Sequence, residues 1–296
     1  MRYSEERLRP EASRQRLRQI SGRPLQSVFS AGSILSGRYR RLIANQRKMM
    51  TTGMLEQRTA PVEVVTPSFV VQEIQKAFTL NDKSRDYLRF HAKRFAYCAN
   101  LVLASCRGIE RPRVLDVAPH FTTFILRKVL PPGSVLNSLG WFDRNITGEC
   151  VDKHFECDLN DVHFRDRWIA AEDHDLVMAG EIIEHVLTSP DRFIDFTGRF
   201  VAPGGRLIVG TPNAGRIRHR LKLALGRNPY EMINERRDGH IREYTMKELC
   251  RACETAGLTV ERGEYADYWK ERGILRMLER VVPPFRRGMT VIAVRK

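Results

Sequence analysis

The chain has 296 residues, of which 42% are hydrophobic and 29% charged, and its formal net charge is +15. This composition is typical of a globular protein with one or two domains, and the absence of a run of about 18 apolar residues indicates a soluble or peripheral protein. The charge is unevenly distributed. Residues 1–60 hold 13 Lys and Arg against 4 Asp and Glu, giving +9, and residues 61–296 carry the other +6.

Three regions follow one another along the chain. Residues 1–60 mix Arg, Ser, Gln and Gly without a sustained period, which predicts a basic, disordered N-terminal extension. Residues 61–110 place apolar side chains at three- and four-residue steps, which predicts two leading helices near 67–78 and 82–106. Residues 111–296 are expected to form one α/β domain.

The stretch from Asp175 to Asn213 organises that domain. Its sequence predicts a buried strand at 176–179 and a loop with acidic and imidazole side chains at 181–185. A helix at 190–201, a Pro-Gly-Gly turn at 203–205 and a second buried strand at 206–210 follow. Because the apolar runs are short and bounded by turn residues, both strands are expected to be covered on two faces, which is typical of a parallel βαβ unit.

Other segments complete the pattern. Strands are predicted at 113–117, 135–139, 154–157, 258–261 and 289–294, and helices at 124–130, 216–227 and 246–256, with a segment of unassigned structure at 269–282. Thr245 followed by Glu248 predicts a capping box at the start of the helix 246–256, and Gly257 predicts its C-terminal end.

Four groups of residues carry a family resemblance. They are Asp175-Leu-Val, Glu181-Ile-Ile-Glu184-His185-Val, Leu207-Ile-Val-Gly210-Thr211-Pro212-Asn213, and Tyr244-Thr-x-x-Glu248-Leu with Ala256-Gly257-Leu258. In this order they resemble class I S-adenosylmethionine-dependent methyltransferases, in the branch with the small-molecule and quinone-biosynthesis enzymes. The resemblance extends from about Val114 to Val294. It implies a doubly wound, Rossmann-like, seven-stranded α/β sheet with the last strand antiparallel and a helical insertion at about 214–240.

The loop after the first strand departs from the family. The family pattern is Asp-x-Gly-x-Gly-x-Gly, whereas this chain reads Asp116-Val-Ala118-Pro119-His120-Phe121-Thr122. Glycine serves there because the backbone approaches the cofactor closely and can need positive φ. Two hypotheses stay open: the loop holds the cofactor in an altered way, with the His120 imidazole near its carboxylate, or the site has lost the cofactor.

The resemblance also implies which residues bind S-adenosylmethionine. They are Asp116, Ala118, Pro119, His120, Asp158, Leu159 and Gly180. Asp158 would accept a hydrogen bond from the adenine amino group, although a turn or helix-cap role fits the same residue. The second strand ends at Leu139, where the family places a ribose-binding acid, and Asp143 is the nearest carboxylate downstream.

His185 and Glu181 are the candidate catalytic residues. An imidazole titrates near neutral pH, and the loop after the fourth strand faces the ligand cleft in this fold, so His185 is expected to act as a base. Glu181 would orient the acceptor or contact the cofactor. The alternative is that Glu184 and His185 only bond loop backbone. No metal site is expected, because Cys250-Arg-Ala-Cys253 lies in a helix and lacks a second pair.

The leading hypothesis is therefore a cytoplasmic small-molecule methyltransferase that acts on the oxygen of a phenolic, quinone-precursor, sugar or lipid-linked acceptor. A binding or regulatory module that has lost its cofactor is the second hypothesis. Nucleic acid is not expected as a partner, because no Asn-Pro-Pro-Tyr or Asp-Pro-Pro-Tyr signature is present. The basic segment 216–227 would contact a membrane surface or an anionic substrate, or pack as an ordinary helix. The sequence leaves the oligomeric state open.

Overall fold

The structure, a computed structural model, describes residues 65–230 and 239–296, apart from the side chains of residues 145–147. The predicted N-terminal extension, residues 1–60, lies outside the described residues, as does part of the predicted insertion. No helix in the described part of the chain is both long and apolar enough to span a bilayer.

Eight α-helices lie in these residues. They are α1 (Pro67–Ala77), α2 (Asp82–Ser105), α3 (Phe121–Val129), α4 (Arg144–Cys150), α5 (Pro190–Gly198), α6 (Ile217–Ala224), α7 (Met246–Thr255) and α8 (Gly273–Val281). The two leading helices are confirmed as α1 and α2. The capping box of α7 is confirmed as well, since the Thr245 backbone N–H donates to Glu248 at 2.9 Å and Gly257 follows with φ +78°.

Seven strands form one sheet. They are β1 (Arg113–Val117), β2 (Val135–Gly140), β3 (Lys153–Glu156), β4 (His174–Gly180), β5 (Val201–Pro212), β6 (Leu258–Ala266) and β7 (Gly288–Arg295). Their order is β3-β2-β1-β4-β5-β7-β6, and β7 runs antiparallel to both of its neighbours. The predicted doubly wound, seven-stranded sheet with an antiparallel last strand is confirmed.

Both faces of the sheet are buried, because apolar residues occupy both sets of alternating positions in the central strands. Along β4, Val177 and Ala179 belong to the core cluster that includes Phe193 of α5, whereas Leu176 and Met178 belong to the cluster that includes α1 and α2. The continuous apolar runs of the sequence therefore reflect helices on two sides of the sheet.

The predicted turn at 203–205 is wrong, since these residues lie inside β5. His174 pairs with Val201, and the register then shifts so that Leu176 pairs with Arg206. The residues between them bulge out of the ladder, with Gly204 at φ +78°. A Pro-Gly-Gly sequence suits a bulge because proline has no backbone N–H to donate to the ladder and glycine permits positive φ.

The carboxyl ends of β1 and β4 are neighbours at the sheet edge, and each is followed at once by a non-glycine residue in the left-handed region. Ala118 has φ +55° and Glu181 has φ +61°. Such residues store strain of about 1 kcal/mol or more, and they gather at functional sites. This edge is therefore where a ligand site is expected.

Replacing Ala118 by glycine tests that strain. Glycine relieves the left-handed strain but makes the unfolded chain more flexible, so Ala118→Gly should leave the free energy of unfolding unchanged or raise it by up to about 1 kcal/mol. Ala104→Gly, at an exposed position in the last turn of α2, should lower it by up to about 1 kcal/mol. Urea denaturation of both variants measures the difference. Equal losses in the two would contradict the strain at Ala118.

Candidate active site

A cavity of about 460 Å³ opens at the carboxyl ends of β1 and β4. Its walls come from α2, from the loops after the two strands, and from two residues further along the chain, His240 and Trp269. Seven of the sequence-predicted site residues line it, namely Asp116, Ala118, Pro119, His120, Gly180, Glu181 and His185. The leading helix α2 is thus part of the cavity wall and not only core packing.

The loop after β1 is close to β2. The Ala118 backbone N–H donates to Leu139 O at 2.7 Å, and a Cβ added to Gly140 would lie 3.3 Å from Ala118 Cα. Of the three positions where the family has glycine, Ala118 alone has positive φ. His120 is extended, with φ −154°, and Thr122 is in α3. The backbone therefore accepts His120 and Thr122 without a glycine conformation.

Asp116 holds the loop after β1 in place through hydrogen bonds. Its carboxylate accepts a 2.6 Å hydrogen bond from the Thr123 hydroxyl, and the same hydroxyl accepts from the His120 backbone N–H at 2.9 Å. Asp116 is almost completely buried, and burial raises the pKa of its carboxyl to about 7 although the Thr123 bond lowers it. Sequence reasoning found Asp116 but not Thr123, its partner.

Two neutral imidazoles face the cavity. Burial lowers the pKa of His91 to about 3 and that of His120 to about 4, with Arg94 adding to the effect in both. The His120 ring lies 5.3 Å from the Tyr87 ring and 4.5 Å from the Phe121 ring, measured between centroids. Within the described residues, neither histidine has a hydrogen-bond partner at its buried Nδ1.

The Glu181 carboxylate lies beside a hydroxyl donor and a guanidinium group in the cavity. The Tyr268 hydroxyl donates to Glu181 Oε1 at 2.8 Å, and Arg94 Nη1 lies 3.9 Å from Glu181 Oε2. Arg94 also donates to the Tyr87 hydroxyl at 3.0 Å. Burial raises the pKa of Glu181, and Arg94 opposes that rise. Sequence reasoning missed Arg94 and Tyr268, because both lie outside the matched motifs.

Glu184 is buried at the far side of the β4 loop. Its Oε2 accepts from the Thr211 hydroxyl at 2.9 Å, whereas Oε1 has no hydrogen-bond partner among the described residues. Burial, followed by the charge of Glu181, raises the pKa of Glu184 well above its ordinary value. The Glu184 backbone oxygen also accepts from Ile241 N at 2.8 Å. This bond brings the segment after residue 239 to the cavity.

Two histidines lie near the Glu184 carboxylate. His185 Nε2 lies 3.9 Å from Glu184 Oε1, and one donor atom each from Glu184, His185 and His240 lie within 4.8 Å of one another. Nδ1 of His185 is 3.0 Å from Gly239 O, and Nδ1 of His240 is 2.9 Å from Glu243 Oε1. Ring N–H bonds to a carbonyl and to a carboxylate are typical of histidines that bind a metal through the other nitrogen.

This set could hold a divalent cation, since an unpartnered buried carboxylate oxygen and two imidazoles are suitable ligands. The sequence analysis assigned no metal ligands. The adjacent residues Glu184 and His185 are two potential metal ligands that the sequence shows side by side. His240 comes from a separate segment, and only the fold reveals that it lies near them.

The structure does not bring Asp158 and Leu159 to the cavity wall. Asp158 is exposed just after β3, and its Oδ1 accepts from the backbone N–H and the side-chain amide of Asn160 at 2.9 and 3.0 Å. This is the turn role that the sequence left as an alternative. Leu159 packs against the core. Asp143, which follows β2, acts electrostatically on His120.

A family model described as a methyltransferase domain matches residues 87–262, more than half of the chain. The chain therefore belongs to this family of methyltransferase domains, and its sequence-based assignment to the methyltransferases is confirmed. The match begins in α2 and ends in β6, so it includes both loops that form the cavity. A search of curated proteins finds no significant sequence match.

Solved structures with a similar fold include magnesium protoporphyrin IX methyltransferase from Synechocystis PCC 6803 with bound SAH. The two chains are 12% identical with a TM-score of 0.48, and the match covers 77% of this chain and 93% of that one. Another is 1,6-didemethyltoxoflavin-N1-methyltransferase from Burkholderia thailandensis, at 12% identity and a TM-score of 0.48, covering 82% and 93%. Likeness at this level carries no argument about the substrate.

The raised pKa of Asp116 predicts a pH-dependent stability difference. Between about pH 4 and pH 7 the folded protein keeps a proton that the unfolded chain releases, so this carboxyl makes folding less favourable as pH rises. Asp116→Asn removes the effect. The free energy of unfolding of the variant, relative to wild type, should therefore increase from about pH 4 to about pH 7, as measured by urea denaturation.

The exposed Asp173→Asn serves as the matched control and should show the same difference from wild type at both pH values. A pH-independent effect of Asp116→Asn would mean that Asp116 is ionised in the folded protein throughout this range.

Proposed function

We propose that the chain transfers a methyl group from S-adenosylmethionine to an oxygen of a small-molecule, sugar or lipid-linked acceptor bound in the cavity. One observation carries the proposal. Four cavity-lining residues, His91, His120, Glu184 and Trp269, each hold a buried polar atom without a hydrogen-bond partner among the described residues. Buried polar atoms are normally satisfied, so their concentration at one cavity points to a polar ligand.

The donor would lie against the loops after β1 and β4. Gly180 has no side chain to fill this part of the cavity, and Ala118 has a small one. Arg94 is suited to the carboxylate of the donor, and the Glu181 carboxylate is suited to its positive charge. When bound, S-adenosylmethionine supplies the methyl group as a sulfonium electrophile. The chain's own part is to position the reactants and exclude water.

Asp158 and Leu159 stay proposed as contacts to the adenine. What supports this role is their place directly after β3, on the same edge of the sheet as the cavity. The bonds from Asn160 to Asp158 compete with it, because the Asp158 oxygen that accepts them would have to accept from the ligand as well.

The acceptor would lie toward Glu184, His185 and His240. His185 is half-exposed, as a residue that exchanges a proton with a bound acceptor needs to be. A base that removes the hydroxyl proton raises the nucleophilicity of the acceptor oxygen. Glu181, held by Tyr268 and Arg94, is rigid enough to orient the acceptor.

A divalent cation held by Glu184, His185 and His240 is an alternative use of the same residues. When bound, such a cation lowers the pKa of a coordinated hydroxyl and orients it. His185 cannot bind a cation through Nε2 and act as a base through the same atom. The two roles therefore exclude each other, and an experiment separates them below.

A cofactor-free binding or regulatory module is the second candidate. The observations that favour it are the His120 side chain in the loop where the family has glycine, and Leu139 in place of the ribose-binding acid. The relaxed backbone at His120 and the open cavity beside it favour the enzyme.

Calorimetric titration with S-adenosylmethionine and S-adenosylhomocysteine separates the two candidates. The enzyme should bind both at micromolar strength, equivalent to about 8 kcal/mol. Asp158→Ala should weaken binding if this residue contacts the adenine, whereas Asp173→Ala, an exposed acid before β4, should not. Wild-type affinity in Asp158→Ala would show that the alignment of the third strand is wrong. No binding by folded wild-type protein would favour the cofactor-free module.

His185→Ala should spare donor binding and lower turnover by roughly a hundredfold or more, because the acceptor loses its base or its cation. Turnover is followed as S-adenosylhomocysteine formed with a panel of phenolic, sugar and lipid-linked acceptors. Mn²⁺ titration of the same variant assigns the role.

Loss of Mn²⁺ binding in both His185→Ala and His240→Ala identifies the cation site. If wild type does not bind Mn²⁺, His185 is assigned as the base. The exposed His163→Ala is the matched control for both measurements. Normal turnover in His185→Ala would remove His185 from the mechanism.

A further inference from the structure

The helix α8 presents its apolar side to solvent. Ile274, Met277 and Val281 are spaced three and four residues apart, so they share one face, and they are 72%, 65% and 79% exposed. Glu279, on the opposite face, is completely buried. This is the reverse of an ordinary surface helix, which turns its apolar face toward the core.

The inward face of α8 is held by ionic contacts. Arg276 donates to both oxygens of Asp267, at 2.5 and 2.9 Å, and its Nη1 also lies 3.5 Å from Glu279. Glu279 accepts from the Glu271 backbone N–H at 3.0 Å, and Arg218 of α6 lies 3.4 Å from Glu271. The polar residues therefore fix the orientation in which the apolar face points outward.

The helix α6 packs beside α8. Leu221 and Leu225 are four residues apart, so they share one side of α6, and they are 44% and 72% exposed. We call the five residues Leu221, Leu225, Ile274, Met277 and Val281 the apolar face. A group of exposed aliphatic side chains on neighbouring helices indicates an interaction site.

The exposed charge on the two segments that carry the apolar face is basic. The exposed basic residues are Arg218, Arg220, Arg227, Lys270, Arg272 and Arg280. The partly exposed acid beside them, Asp267, is paired with Arg276. Within residues 214–230 and 270–287, the acids are Glu271 and Glu279, and both are buried. The outward surface of these segments is therefore apolar with a cationic surround.

Both helices lie at the cavity edge of the sheet. The helix α6 follows the carboxyl end of β5, and α8 connects the end of β6 to the start of β7, where Ala266 pairs with Gly288. Because Gly288 also pairs with Pro212 at the end of β5, this connection lies on the same edge as the cavity. A partner that contacts the apolar face therefore lies on the same side of the protein as the cavity.

We propose that the apolar face docks the protein onto an anionic lipid bilayer. An amphipathic helix with exposed aliphatic residues and surrounding Arg binds the bilayer interface by burying the apolar side chains and attracting acidic headgroups. A second copy of this chain would bring like charges together across a symmetric contact. The N-terminal residues 1–60 carry +9 and are a poor electrostatic match as well. This inference is independent of the proposed methyl transfer.

The test is co-sedimentation of the full chain with vesicles of phosphatidylcholine alone or mixed with phosphatidylglycerol. Wild type should bind the mixed vesicles more strongly, and high salt should weaken the binding. Ile274→Asp with Val281→Asp should reduce binding to the mixed vesicles by about tenfold or more, since each aspartate opposes burial of the apolar face. The side chains are too exposed for these changes to affect folding, which circular dichroism checks.

Ile109→Asp is the matched control, because Ile109 is an exposed isoleucine before β1, on the opposite edge of the sheet. It should bind as wild type does. Equal binding by wild type and the double variant would assign vesicle binding to the basic N-terminal residues and overturn the proposal. The proposal would also be overturned if size-exclusion chromatography showed wild type as a dimer and the double variant as a monomer. The apolar face would then be an interface between copies of this chain. Donor titration is independent of either outcome.

Discussion

The burial of three carboxyl groups at the ends of β1 and β4 is the constraint on which the cavity depends. Asp116 lies in β1, whereas Glu181 and Glu184 lie in the loop after the neighbouring parallel strand β4. An unpaired buried carboxylate costs several kcal/mol. Each therefore has a dedicated donor. Thr123 serves Asp116, Tyr268 and Arg94 serve Glu181, and Thr211 serves Glu184.

These donors connect the cavity to most of the domain. Thr123 begins α3, Arg94 is in the middle of α2, Thr211 is in β5, and Tyr268 follows β6. The loops after β1 and β4 are thus held by two helices on one face of the sheet, by β5 within the sheet, and by a residue that follows the edge strand β6. Such support is what a methyltransferase needs, because positioning contributes more to this reaction than covalent assistance from the protein does.

The sequence predicted the sheet well because its strands are short apolar runs with clear boundaries. β1 was predicted with the bounds it has, and the capping box of α7 is a local pattern that needs no knowledge of the fold. The Pro-Gly-Gly turn failed because a bulge and a turn share the same residues, and only the pairing of β4 with β5 distinguishes them.

The site was predictable to the extent that it lies in motif loops. Asp116 lies near the end of β1, and Glu181 and His185 lie in the loop after β4, so strand prediction places all three at one edge. Arg94, Tyr268 and His240 reach the cavity through tertiary packing and have no local signature. The backbone shows that Ala118 bears the conformational cost, because His120 and Thr122 occupy ordinary regions of φ and ψ.

The same packing explains the unusual surface beyond the cavity. The ionic contacts of Arg276 and Arg218 hold α8 with its charged side inward, so its aliphatic residues are left outward on the edge that holds the cavity.

The central claim is that the methyl donor binds between the loops after β1 and β4. Hydrogen exchange of the backbone amides, with and without S-adenosylhomocysteine, tests this claim most directly. We expect slower exchange at residues 117–123 and 180–185 when the ligand is added, with little change in β6. Unchanged exchange in both loops, in a sample that binds the ligand, would contradict it.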